Sequence, residues 1–192
     1  MKTRKTIIAA ALTFGAMTLA GQAFAAAADA NAPPPEMGFF ITSKGLGKGG
    51  DLGGIAGADA HCQSLAAAVG KGNRTWHAYL STQGPGAVNA RDRIGKGPWA
   101  NAKGVIMATN LDSLMYDNSN FNYEHILDEN GNHFSSRIDG TYDTTEHDVL
   151  TGTQLDGTAF PAGDDKTCNN WTSSTTGSAV VGHADRYSFA VP

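Results

Sequence analysis

The sequence predicts an α+β domain. One stretch, Ile55 to Val69, has a clear helical period, and a second, Leu111 to Met115, reads as a brief capped helix. The remaining apolar residues fall into short, separated runs rich in β-branched and aromatic side chains, the pattern of several short strands. Glycine, at 24 of 192 residues, spaces these runs with turns and long irregular loops.

The chain opens on a basic segment, Lys2, Arg4 and Lys5, followed by the 14-residue apolar run Ile7 to Ala20 and the small-x-small triplet Ala23-Phe24-Ala25. These three features predict an export signal over residues 1–25, cleaved after Ala25. The apolar run is shorter than the ~20 residues that span a bilayer, so no membrane insertion is expected after cleavage. Residues 26–37 end in Pro33-Pro34-Pro35 and read as a flexible Pro/Ala-rich tether, leaving 38–192 as one domain. Residues 1–25 carry three basic and no acidic side chains, so eleven Lys and Arg then face 18 Asp and Glu, a net charge of −7. That balance argues against nucleic acid, heparin-like polyanions or an anionic membrane as the main partner, since each needs a basic patch. The expected location is the periplasm, the cell surface or the medium.

Phe39-Phe40-Ile41-Thr42 suits a first strand, and the six glycines of residues 45–54 make a loop without the Gly-Lys-Ser/Thr of a phosphate-binding loop. In the helix that follows, Ile55, Ala58, Cys62, Leu65, Ala66 and Val69 form the buried stripe, and Gly70 and Gly72 stop it. Trp76, Ala78 and Leu80 alternate with His77 and Tyr79 as in a half-buried strand. Val105 to Ala108 is a short strand, and Asn110 caps the second helix. Later strands are expected at Val149–Thr151, from Cys168 through Trp171-Thr172, at Ala179–Val181 and at Tyr187–Val191.

The candidate chemistry is spread along the loops. Asp128, Glu129, Asn130 and Asn132 offer calcium the oxygen donors it prefers, although Asn130-Gly131 is equally a hairpin turn. None of the six histidines stands in a His-x-x-x-His or His-Glu-x-x-His spacing, and Glu146-His147-Asp148 reads either as a proton-transfer group or, more commonly for such a sequence, as a solvated loop histidine. Arg91 and Arg93 could meet a ligand carboxylate or form local ion pairs. Trp99, Tyr116 and Tyr123 in the loop-rich half could stack on a sugar ring or contact a protein. Cys62 and Cys168, in an exported chain, are candidates for one disulfide or for two separate buried thiols.

The blocks His61-Cys62-Gln63-Ser64-Leu65-Ala66, Trp76-His77-Ala78-Tyr79-Leu80-Ser81, Asp148 to Thr153, Leu155-Asp156-Gly157-Thr158 and Cys168-Asn169-Asn170-Trp171-Thr172 occur in an order that resembles the endostatin-like branch of the C-type lectin-like fold. The resemblance spans roughly Phe39 to Val191. It implies a twisted antiparallel sheet flanked by two helices, paired first and last strands, and long irregular loops that present the ligand surface. Endostatin-like domains have two disulfides, and each cysteine here resembles one member of a pair. The calcium triplets of sugar-binding C-type lectins, Glu-Pro-Asn or Gln-Pro-Asp and Trp-Asn-Asp, are absent, so that site is not carried over. The expected function is a non-catalytic exported binding module for a glycan or an envelope or extracellular protein. The alternative is an exported metal-dependent hydrolase on the same scaffold.

Overall fold

A computed structural model of the protein describes residues 32–117, 120–136 and 146–185. Every element below lies in the second of two compact units, residues 34–192. The architecture is a sparse α+β arrangement: α1 (Gly54–Ala68), a 3-10 turn (Ala90–Asp92), β1 (Trp99–Ala100), β2 (Ile106–Ala108), α2 (Leu111–Tyr116), β3 (Asp148–Leu150), α3 (Cys168–Trp171) and β4 (Val181–His183). β1 pairs with β2 and β3 with β4, each antiparallel, making two small sheets. Among the described residues no helix is long and apolar enough to cross a membrane. The expected signal, residues 1–25, and the expected last strand at Tyr187 lie outside the described residues.

Helix α1 forms where its period places it, with Ala58, Leu65 and Ala66 buried on one face. It ends because Gly70, at φ 75°, turns left-handed and lets the Lys71 amide reach back to the Ala66 carbonyl at 2.8 Å. Short α2 depends on its cap. The Asn110 side chain accepts from the Ser113 amide at 2.9 Å, and the Ser113 hydroxyl accepts from the Asn110 amide. Asn110→Ala is expected to cost about 1 kcal/mol, read as a shift of the urea midpoint.

Three expected strands differ in the structure. Phe39 to Thr42 makes no ladder; Met37 and Ile41 form isolated parallel bridges to Ala100 and Asp128. Met37 is buried, and Pro34 and Pro35 pack on Gly104, so the packed chain begins inside the stretch read as a tether. Trp76 to Leu80 keeps its alternation, with Trp76, Ala78 and Leu80 buried, but it is not a ladder strand either. Its amides are taken by α1 side chains: Trp76 donates to Gln63 Oε1 at 3.0 Å and Ala78 to Asp59 Oδ1 at 2.8 Å.

The third difference is the largest. Residues 168–171 are one turn of left-handed helix, with φ of 47°, 55°, 55° and 67°. Each L-residue in that conformation costs roughly 1–2 kcal/mol, less for asparagine. Neighbouring groups fix the turn. The Asn170 amide pairs both ways with the Gln83 backbone, at 2.7 and 3.1 Å, while Asp165 accepts from the amides of Thr167 and Asn169. Trp171 is fully buried and donates through Nε1 to the Ser81 carbonyl at 2.8 Å.

Among the described residues the core comprises three apolar clusters. Ala58, Ala78, Leu80 and Trp171 pack beneath α1, Met37, Ala66 and Trp76 at its C-terminal end, and Met107, Ile126, Phe134 and Ala184 form the third.

Candidate functional site

Pairing of β3 with β4 sets Asp148 opposite His183, and directly opposed residues of an antiparallel pair project to the same face. His183 Nδ1 lies 2.7 Å from Asp148 Oδ1. His147, at the mouth of β3, brings its Nε2 to 3.3 Å from the same oxygen, and the two imidazoles cross edge to face at 79°. The three potential ligand atoms all lie within 4.8 Å of one another. Behind His147, Asp185 Oδ2 stands 2.8 Å from Nδ1 and also accepts from the Ser136 hydroxyl at 3.3 Å. Burial alone would raise the Asp185 carboxyl, but the hydrogen bond and charge of His147, with Ser136, hold it below the ordinary carboxylate value. Asp148 and His183 line an open cleft together with Glu146 and His133.

Sequence reasoning missed this convergence because His147 stands just before β3 whereas His183 ends β4, and only the pairing of the two strands joins them. The usable signal was that both sit close to expected strands, at Val149–Thr151 and Ala179–Val181, and pairing those strands brings the imidazoles together.

A second constellation surrounds Gly157. A Cβ placed there would lie within about 3 Å of the Arg91 Cβ, the Tyr79 hydroxyl and the Met115 Cε, so the 3-10 turn, α2 and the turn around Gly157 meet at one point. Next in the chain to Met115, Tyr116 is 71% exposed, and Leu155, two residues before Gly157, is 96% exposed. Burial, and secondarily the Asp156 charge, push the Tyr79 phenol up to about 12, so it remains a neutral donor to the Met115 sulfur at 3.5 Å. Arg91 Nη1 donates to the Asp156 carbonyl at 3.0 Å.

The other candidates lie elsewhere. Arg93 is committed to the Asp59 carboxylate at 2.6 Å and to the Ala78 carbonyl. Trp99 is buried in β1 with its indole N–H on the Ile94 carbonyl, and Tyr123 stacks on His133 and meets Phe134 edge-on. Asp128 and Glu129 are buried in a turn whose acceptors already hold amides. Asp128 Oδ1 takes the Asn130 and Asn132 N–H groups at 2.9 and 2.8 Å, the Asn130 side chain donates to both carboxylates, and Glu129 takes the amide and hydroxyl of Ser43.

Cys62 and Cys168 are both free thiols here, on α1 and at the start of α3. Burial and then the Asp59 charge push the Cys62 thiol up to about 11, and burial with the Asp165 charge raises Cys168. Neither is set up as a thiolate nucleophile.

No curated protein matches the chain. Residues 46–189 match the model of a family described as a protein of unknown function (DUF1554), an interval that takes in α1, both sheets, the histidine–carboxylate cluster and the surface around Gly157. The chain belongs to that DUF1554 family.

Proposed function

We propose that the protein is an exported, non-catalytic binding module with a C-type lectin-like, endostatin-like architecture, recognising a glycan or an envelope or extracellular protein. The observation that carries this reading is the pair Tyr116 and Leu155, large apolar side chains left open to solvent beside Arg91 and Met115. An open phenol ring suits stacking on a sugar face, and an open leucine suits a protein contact. The irregular connections between the elements and the two small antiparallel sheets support the lectin-like reading of the scaffold.

A glycan array probed with and without calcium, alongside a panel of envelope and extracellular matrix proteins, is the test. Tyr116→Ala together with Leu155→Ser is expected to weaken the detected binding at least tenfold while leaving the melting temperature unchanged. Binding indifferent to that double substitution would move the recognition surface elsewhere. The hydrolase alternative is favoured by the His147–Asp148–His183 cluster alone. Turnover of ester or peptide substrates by the metal-loaded protein, lost in His183→Ala, would replace the binding reading.

A further inference from the structure

We propose that His147, Asp148 and His183 bind one zinc ion through His147 Nε2, an Asp148 carboxylate oxygen and His183 Nδ1, with Asp185 as the positioning residue behind His147. The claim goes beyond the recognition surface at Tyr116 and Leu155 and stands or falls separately from it.

The first argument is the donor set. Two imidazoles and one carboxylate match the three protein ligands that zinc takes when its fourth position stays open to water or ligand. Calcium and magnesium prefer all-oxygen surroundings, which this cluster does not supply.

Distance is the second argument. Atoms bound at about 2.1 Å to a tetrahedral ion stand about 3.4 Å apart. His147 Nε2 and Asp148 Oδ1 are 3.3 Å apart, and the 2.7 Å between His183 Nδ1 and Asp148 Oδ1 needs only a small side-chain rotation to open. Side-chain exposures of 55% for Asp148 and 36% for His183 leave room for that movement and for entry of the ion.

Orientation is the third. Because a carboxylate only accepts, the 2.8 Å contact with Asp185 places a proton on His147 Nδ1. With Nδ1 so engaged, Nε2 faces Asp148 Oδ1 across 3.3 Å, a contact that needs a positive charge between the two atoms, either a proton or a metal ion. A zinc ion meets that requirement for both histidines and the carboxylate at once. The chain Asp185–His147–zinc is the carboxylate–histidine–metal arrangement in which the outer carboxylate fixes the tautomer and aims the ring. The Ser136 hydroxyl in turn orients Asp185. The backbone holds the geometry from below, since β3 and β4 pair through Asp148, Val149 and Leu150, and the Ala184 amide donates to the His147 carbonyl at 2.8 Å.

The test uses the untagged exported protein, stripped with chelator and titrated with zinc chloride by calorimetry, with bound metal counted by mass spectrometry. One zinc per chain is expected, together with a rise in melting temperature that chelator reverses and that magnesium does not reproduce. His183→Ala and Asp148→Asn should each weaken binding at least 100-fold, and His61→Ala, on α1, should leave it unchanged. Asp185→Asn should weaken binding 10- to 100-fold while the stoichiometry stays at one zinc per chain, with recovery in Asp185→Glu. Absence of stoichiometric zinc, equal stabilisation by magnesium, or full affinity in His183→Ala would each overturn the proposal. Loss of binding in His61→Ala alone would overturn it as well, by locating the ion elsewhere.

Discussion

Trp171→Ala is expected to lower the unfolding free energy by about 3–5 kcal/mol, enough to shift the melting temperature by on the order of 10 °C in a domain of this size. The side chain is fully buried among Ala58, Ala78 and Leu80, with Leu52, Ile55 and Leu150 packed against the cluster, so truncation removes an indole from its centre and leaves a cavity that these neighbours refill only in part. Gly152 shows how tightly the ring is enclosed. A Cβ on that residue would stand 2.5 Å from the indole Cζ2, at a backbone φ of 56° that itself favours glycine. The substitution also strands the Ser81 carbonyl, which accepts from the indole N–H at 2.8 Å. Third, the ring anchors a left-handed turn that is unfavourable without tertiary support, and the Trp171 carbonyl accepts the Leu52 amide at 2.9 Å at the entrance to α1.

Trp171→Phe separates these contributions. It keeps most of the packing and removes the N–H, so it should cost about 1–3 kcal/mol. Urea unfolding followed by circular dichroism reads both variants. A loss below 1 kcal/mol for the alanine variant would mean that the turn is held by the Asn170 and Asp165 hydrogen bonds alone.

That turn marks where local sequence signals stop being informative. Cys168-Asn169-Asn170-Trp171 reads as the start of a strand because Trp171 and Thr172 favour extended backbone. The structure instead answers to contacts from residues far along the chain, Gln83, Ser81 and Leu52, none of which a local pattern contains. Helix α1 was legible because period, stop signal and buried face all lie within one stretch, and α2 because its cap, Asn110, immediately precedes the run Leu111 to Met115 that it caps. Residues 76–80 were half legible: alternation located the buried side chains, but the backbone partners are Gln63 and Asp59 on a helix rather than a neighbouring strand. The histidine–carboxylate cluster follows the same division. Glu146-His147-Asp148 stood out as a local composition, whereas His183 joins it only through strand register and Asp185 only through the turn after β4. Arg91 and Tyr116 stand out by residue type; Leu155, the most exposed of the large hydrophobic side chains described, has no local signal that sets it apart.

Asp59 carries the other large effect. Its carboxylate sits on α1 facing residues 76–80, taking the Ala78 amide on Oδ1 at 2.8 Å, and Arg93 at 2.6 Å and His77 at 3.2 Å on Oδ2. Burial pulls its proton affinity upward, but the bonds from Arg93, Ala78 and His77, with the Arg93 charge, outweigh burial and hold the carboxyl below its ordinary value of 3.8. A carboxyl with a lowered folded-state value contributes stability that is present above the unfolded value and disappears as pH falls through the folded one. Asp59→Ala is therefore expected to cost about 2–3 kcal/mol at pH 7, less than a fully buried pair because the side chain keeps 24% of its exposure. The cost comes chiefly from leaving the Ala78 amide and the Arg93 guanidinium, only 11% exposed, without their acceptor. Asp59→Asn keeps an oxygen for Ala78 and loses the charge, so its difference from wild type isolates the ionised form. Urea midpoints at pH 7, 5 and 3 should show that difference steady between pH 7 and 5 and shrinking toward pH 3. Other lowered carboxyls, Asp165 and Asp185 among them, titrate in both proteins and cancel in the comparison. A difference that stayed constant down to pH 3 would show that the Asn variant perturbs packing, and that the charge of Asp59 does not tie α1 to the 76–80 segment.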